Sequence, residues 1–216
     1  MNYEQMNNNK VLLRGRIMNE PVFSHEVMGE GFYDFKLTVP RLSGQEDVID
    51  ITVSERLMKG SDMSIGKILT INGQYRSYNK IEDEKSRLLL TCFVRDMFND
   101  DFDDFVNIVE LKGHICKKPV YRLTPFKREI CDILIAVNRA YNKSDYIPCI
   151  AWGRNAKFLR DLEVGDKISV AGRIQSREYH KQLSSGETVN RVAYEISLNK
   201  VELIENGGFL DRSYNV

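Results

Sequence analysis

The chain has 216 residues, 42% of them hydrophobic and 29% charged, enough for one large or two small domains with packed cores. No apolar run approaches the length of a membrane span, about 18 residues, which predicts no membrane association. The 31 basic and 31 acidic residues balance to a formal net charge of +0, so bulk charge alone does not point to a nucleic-acid partner.

The N-terminal MNYEQMNNNK is polar and lacks the apolar region of a secretory signal, which predicts a cytoplasmic protein, nucleoid-associated if it binds DNA. The next stretch, Asn9–Val22 (NKVLLRGRIMNEPV), is repeated as Asn107–Val120 (NIVELKGHICKKPV), an offset of 98. The offset holds without a gap from Val11 to Arg56 against Val109 to Arg154. It keeps Gly15 with Gly113, Pro21 with Pro119, Asp34 with Asp132, Arg41 with Arg139 and Arg56 with Arg154. After one inserted residue, IGKILTINGQYRS at Ile65–Ser77 faces VGDKISVAGRIQS at Val164–Ser176. A period this long marks a duplicated structural unit. The expected division is residues 1–98, an acidic linker 99–106 (NDDFDDFV), residues 107–205, and a tail 206–216. Net charge is uneven: −1 over 1–98 (13 basic, 14 acidic), −4 over 99–106, and +5 over 107–216 (18 basic, 13 acidic).

The second unit reads as β throughout. NIVELKGHI alternates and runs toward Pro119, REICDILIAVNRA is rich in β-branched residues, and DYIPCIAWGR follows as a third strand. NAKFLRDL spaces Ala156, Phe158, Leu159 and Leu162 as a short helix. DKISVAGRIQSREY is the fourth strand, QLSSGETVN a turn-rich loop and RVAYEISLNKVELI the fifth strand. Five strands with a helix between the third and fourth is the order of a Greek-key OB barrel. The expected fold class is therefore all-β with short helices, as two tandem five-stranded OB-fold barrels.

Candidate chemistry concentrates in SDYIPCIAWGR, Ser144–Arg154, which holds the lone tryptophan. Alternation puts Ile147, Cys149 and Ala151 on one face, as core, and Tyr146, Pro148, Ile150, Trp152 and Arg154 on the other. Pro148 donates no hydrogen bond, which predicts an edge or a bulge. Exposed rings interleaved with cations suit stacking on bases; a subunit interface or a cross-strand pair is the structural alternative. Arg139, Arg154, Arg173 and Arg177 are candidate phosphate contacts, although Arg139 and Arg154 recur as Arg41 and Arg56 and so can be structural. The first unit carries Ser43, Val48, Ser54 and Lys80 opposite Tyr141, Tyr146, Trp152 and Tyr179. It does hold Phe32 and Tyr33 beside GEG, in an expected hairpin, where either a contact with bases or a structural role fits.

No nucleophile–base pair or phosphate-cradling glycine loop stands out, so an enzyme is not expected. Cys92, Cys116, Cys131 and Cys149 lack C-x-x-C spacing and read as buried thiols. His25, His114 and His180 are scattered, so neither a metal nor another cofactor is expected.

As a whole the second unit resembles bacterial single-stranded DNA-binding proteins. The resemblance is carried by N-x-V-x-L-x-G (Asn107–Gly113), Pro119, IAVNRAY (Ile135–Tyr141), DYIPCIAWGRNA (Asp145–Ala156), VGDKISVAGRIQSREY (Val164–Tyr179) and GETVNRVAYEI (Gly186–Ile196). The first unit resembles the family more distantly, through NKVLLRG, FKLTVPR and INGQYRS. The resemblance implies stacking rings at Tyr141, Tyr146, Trp152 and Tyr179 and basic contacts at Arg122, Arg154 and Arg177. Glu163 and Val164 stand where the family carries basic residues before the fourth-strand glycine. The terminal NGGFLDRSYNV lacks the family's acidic tail with an apolar tip, which recruits replication and repair proteins. The implied function is non-catalytic binding of single-stranded DNA in replication, recombination or repair, by a homodimer bringing four barrels together. An OB-fold protein adaptor of a primosome-like assembly, or a single-stranded RNA binder, are the alternatives.

Overall fold

The computed structural model describes residues 7–82, 85–99, 102, 104–182, 186 and 188–204. The first half runs β1 (Asn9–Ile17), β2 (Val22–Val27), β3 (Glu30–Pro40), β4 (Glu46–Ser54), α1 (Glu55–Met58), β5 (Ile68–Glu82) and β6 (Lys85–Asn99). The second runs β7 (Val106–Ile115), β8 (Val120–Leu123), β9 (Glu129–Asn138), β10 (Ser144–Trp152), α2 (Gly153–Arg160), β11 (Lys167–Gln182) and β12 (Thr188–Leu203).

The strands hydrogen-bond in the order β2-β3-β4-β6-β5-β1-β7-β11-β12-β10-β9-β8, with β3–β1 and β7–β9 as closing pairs. Each half is thus a barrel of five strands, β1-β3-β4-β6-β5 and β7-β9-β10-β12-β11. The β4–β6 and β10–β12 contacts are parallel, as the OB strand order requires. Closure needs backbones to approach closely where a strand bends between sheets. A Cβ on Gly15 would lie 2.5 Å from the Thr38 carbonyl, and one on Gly113 2.5 Å from the Ala136 carbonyl. Only glycine fits there, which explains why the pair survives in the repeat.

The sequence predicts five strands per unit; the structure adds β2 and β8. Both are hairpin partners outside the barrel, pairing only with β3 and β9. All six residues of β2 are exposed, so it has no in–out alternation to read. Pro148 sits at neither an edge nor a bulge. It pairs in register with Leu134 of β9, one residue before the short β12 ladder begins at Cys149, so no neighbour needs its missing N–H.

The two barrels are joined by β1 and β7, which pair antiparallel with Val11 opposite Val109. Those residues are repeat equivalents, so a local dyad passes between them. The dyad is repeated in the polar contacts. Ser77 N donates to Asp145 Oδ1 at 2.8 Å, and Ser176 N to Asp47 Oδ1 at 2.9 Å. Tyr146 N donates to Ser77 Oγ at 2.7 Å, and Val48 N to Ser176 Oγ at 3.0 Å. The acidic junction, expected as a solvated spacer, is held at its described residues: Asp104 pairs with Arg14, and the Arg16 guanidinium lies 5.3 Å from the Phe105 ring centre.

Each core is apolar and continuous, from Leu13, Leu37, Ile49, Ile51 and Ile71 in one barrel to Leu111, Ile135, Ile147, Ile168 and Ile174 in the other. Burying a side chain of this size stabilises by about 1.5–3 kcal/mol. Cys92, Cys131 and Cys149 are buried and Cys116 is half-buried, all as free thiols. Desolvation pushes the Cys92 thiol up to about 12 and Cys131 up to about 11, which keeps them protonated and unreactive. No helix among the described residues is long and apolar enough to cross a membrane. No group of three or more potential metal-ligating residues is gathered there either.

Candidate nucleic-acid interface

The inner face of β10 is as predicted: Ile147, Cys149 and Ala151 are at most 2% exposed. On its outer face Tyr146 is 46% and Trp152 40% exposed, whereas Ile150 between them is buried. Trp152 closes the strand in extended conformation, and the left-handed φ of 53° at Gly153 turns the chain directly into α2. The indole is therefore mounted on the rigid junction of strand and helix. It walls a cleft of about 680 Å³ completed by Leu123, Lys127, Arg128, Glu129 and Gly153. Sequence reading missed Lys127 and Arg128, because the β8–β9 turn that carries them belongs to an unrecognised hairpin.

Tyr141 is 86% exposed at the tip of the β9–β10 hairpin. It and Asn142 have left-handed φ values of 61° and 54°, unusual for a tyrosine. Tyr179 lies in β11 opposite Arg191; its side chain falls outside the described residues.

The arginines divide. Arg154 and Arg177 are exposed and find no partner among the described residues. Arg122 donates to Asp132 Oδ2 from Nε at 2.9 Å and Nη2 at 2.8 Å, an exposed pair of small energetic weight. Arg139 and Arg173 turn instead toward buried carboxylates between the barrels. Arg173 Nη1 donates to Asp47 Oδ2 at 2.9 Å, and Arg139 Nε lies 3.5 Å from Asp145 Oδ2. Asp47 is further bound by Arg41, with Nε at 2.9 Å. The repeat contained the signal for this interface, since Asp47 and Asp145 are an identical pair at the same offset, flanked by the repeated arginines.

The first barrel holds rings too, in a different layout. Phe32 stacks on His25 at 5.1 Å and 10°, and meets Phe93 at 5.7 Å and 32°. The Arg76 guanidinium covers Phe93 at 3.7 Å. Burial lowers the Arg76 pKa to about 10, with Arg139 and Arg95 also disfavouring its charge and Asp145 supporting it. Phe23 and Tyr33 form an edge-on pair at 5.7 Å. Phe93 was not singled out by sequence; its outward position on β6 follows only once the strand's register is known.

The profile of the Single-strand binding protein family matches residues 106–204. Single-stranded DNA-binding protein A of Bacillus subtilis is 32% identical over 117 residues, covering 51% of this chain and 67% of that protein. Single-stranded DNA-binding protein 1 of Streptococcus pyogenes is 31% identical over 97 residues, covering 42% and 75%. Among solved structures, a deletion mutant of the single-stranded DNA binding protein from Thermus aquaticus superposes with a TM-score of 0.73 at 19% identity, covering 94% of this chain and 97% of that one; this likeness speaks for the fold, with both barrels included. Together the matched second barrel and these relatives show that the chain belongs to the single-strand binding protein family.

Proposed function

We propose that the chain binds single-stranded DNA without catalysis and with little sequence preference at its second barrel. The observation that carries this is the outer face of β10. Two large rings, Trp152 and Tyr146, stand half exposed on a strand whose other face is core, and the exposed Arg154 follows. Every base offers a π-face, so such rings hold single strands whatever their sequence. Tyr141 and Arg177 extend the same surface along the neighbouring hairpins, with Lys127 and Arg128 beside the indole, while Arg139 and Arg173 act mainly between the barrels. The names of the relatives support DNA as the strand bound, and membership of the family supports a place in replication, recombination or repair, in the cytoplasm. Oligo-dT should quench the lone tryptophan, with oligo-U and duplex DNA quenching it less at equal concentration. Unchanged fluorescence at saturating oligo-dT would refute the stacking role.

Two chains would bring four barrels together as a homodimer. Support comes from the outermost strand β2 and its turn, where Val22, Phe23, Val27 and Met28 are all exposed, an apolar ribbon suited to contact between copies. Light scattering should give twice the mass of one 25.0 kDa chain; a monomer at micromolar concentration would remove the four-barrel arrangement and favour an adaptor role for the first barrel.

A further inference from the structure

Ser54 occupies in the first barrel the position that Trp152 occupies in the second, and Arg56 corresponds likewise to Arg154. Where the indole would stand there is a cleft of about 460 Å³, lined by Glu30, Phe32, Ser54, Arg56, Phe93 and Arg95 among others, within the range of small-ligand sites. Phe32 and Phe93 make an apolar wall. Two polar atoms are shut away from solvent with no hydrogen-bond partner among the described residues, Ser54 Oγ and Glu30 Oε1. Arg56 ion-pairs with the latter, its Nε 3.6 Å away, too far for a hydrogen bond. Buried polar atoms without partners are uncommon in folded proteins and ask for an explanation.

Resting on the reading that this chain binds single-stranded DNA, we propose that the cleft is a base-reading site that accepts one nucleobase bearing an amino group, guanine best, and rejects thymine. A carboxylate is an acceptor only, and it recognises bases through their N–H groups. Guanine offers N1–H and an N2 amino group side by side, matching the two carboxylate oxygens. Cytosine and adenine each offer one amino group. Thymine flanks its single N–H with two carbonyl oxygens, which a carboxylate repels. The Ser54 hydroxyl donates or accepts at the same edge, and the aromatic wall takes the apolar part of the base. Arg95, exposed at the rim, is placed for the adjoining phosphate. The equivalent site in the second barrel lacks this reader, because Arg128 stands where Glu30 stands. A cation there attracts the backbone and leaves the base unread, so one barrel reads and the other grips.

The test uses the full chain and fluorescence anisotropy with oligo-dT carrying a single central dG, dC, dA or no replacement, at one fixed salt concentration. The dG oligonucleotide should bind about tenfold tighter than all-dT, a modest outcome for a bidentate base contact, with dC and dA between. Glu30→Gln and Ser54→Ala should each bring dG and dT close to parity while leaving all-dT affinity within about twofold and the melting temperature unchanged. Equal wild-type affinity for all four oligonucleotides overturns the proposal, and so does a dG preference that survives both variants. Absence of binding to every one of these oligonucleotides, all-dT included, would instead overturn the DNA-binding reading beneath it.

Discussion

Strands β4 and β10 are the same strand built twice. Inside, Ile49, Ile51 and Val53 of β4 match Ile147, Cys149 and Ala151 of β10, and all six are at most 2% exposed. Outside, Val48, Asp50, Thr52 and Ser54 stand where the second copy has Tyr146, Pro148, Ile150 and Trp152. The outer face of β4 is occupied by its own polar network. Thr52 Oγ1 donates to Asp34 Oδ1 at 2.7 Å, and Lys36 pairs with Asp50. Tyr194, reaching over from β12, bonds to Asp50, and burial raises its phenol above the ordinary value. The outer face of β10 keeps its rings for something else. The interior is dictated by barrel closure and packing density, and so it diverges little. The exterior is bound only by what it meets, so the two copies diverged there, one into a polar network ending in the cleft at Ser54 and the other into exposed rings.

The dyad between the barrels is also unequal, and breaking it should give the largest effect. Asp47 receives the Ser176 N–H together with Arg41 and Arg173. Asp145 receives the Ser77 N–H, but its Oδ2 is buried without a hydrogen bond. Asp47→Ala strands two guanidinium groups in the interface and should cost about 3–5 kcal/mol in urea unfolding. Asp145→Asn should cost about 1 kcal/mol or less, because the amide oxygen still accepts from Ser77 and a poorly paired buried charge is removed. Equal costs would show that the two sides are equivalent after all. Desolvation raises the Asp145 carboxyl above its ordinary 3.8, outweighing the Ser77 bond and Arg139, which lower it. A raised acid favours the folded state most below the unfolded value, and that contribution is lost as pH rises through the folded one. Asp145→Asn should therefore flatten stability against pH in the window just above 3.8.

The next comparison concerns the rings. Trp152→Ala should weaken oligo-dT binding by about 1–3 kcal/mol, whereas Ser54→Ala, at the same position of the other barrel, should leave it unchanged. Equal losses would mean that both barrels hold thymine strands alike. Smaller still is the effect on salt dependence. Each phosphate contact contributes a slope of about −0.7 in log K against log salt for single strands. Arg154→Ala and Arg177→Ala should each remove one such contribution. Arg173→Ala should instead lower the unfolding midpoint and leave the slope alone, since its guanidinium is bound to Asp47. A shallower slope for Arg173→Ala would move it to the DNA path.

Much of this was legible in the sequence. The repeat, the glycines at barrel closure and the in–out alternation of β10 follow from period-2 patterning and from backbone crowding, both of which are local. The structural role of Arg139 was hinted at by its repeat partner Arg41, and its carboxylate Asp145 lies in the same barrel. That of Arg173 was not legible, because its partner Asp47 lies across the dyad and sequence distance says nothing about which strands meet. Phe93 and the cleft above Ser54 were hidden for a related reason. The rings that shape that cleft come from β3 and β6, on either side of the serine, so a position-by-position comparison with Trp152 finds only an absence. Strand β2 escaped because all six of its residues are exposed and leave no pattern, and β8 because its four residues place only Tyr121 against the core, too little for an alternation to show.

The smallest expected effect separates stability from binding at one residue. Tyr141 holds a left-handed φ of 61° with its ring 86% exposed. A non-glycine residue in that region costs about 1–2 kcal/mol, and an exposed ring returns little burial energy against it. Strain of this kind, held at the tip of a hairpin beside the candidate interface, is expected where a side chain is kept for contact rather than for folding. Tyr141→Gly relieves the strain but adds backbone freedom to the unfolded chain, worth about 0.5–1 kcal/mol in the opposite sense. The net should be a gain of under about 1 kcal/mol in urea unfolding, together with weaker oligo-dT binding. Asn142, the adjacent left-handed residue, provides the control: asparagine already tolerates that conformation, so Asn142→Gly should shift stability less and binding not at all. If Tyr141→Gly destabilises the fold and leaves affinity intact, the ring is structural and the stacking surface ends at Tyr146.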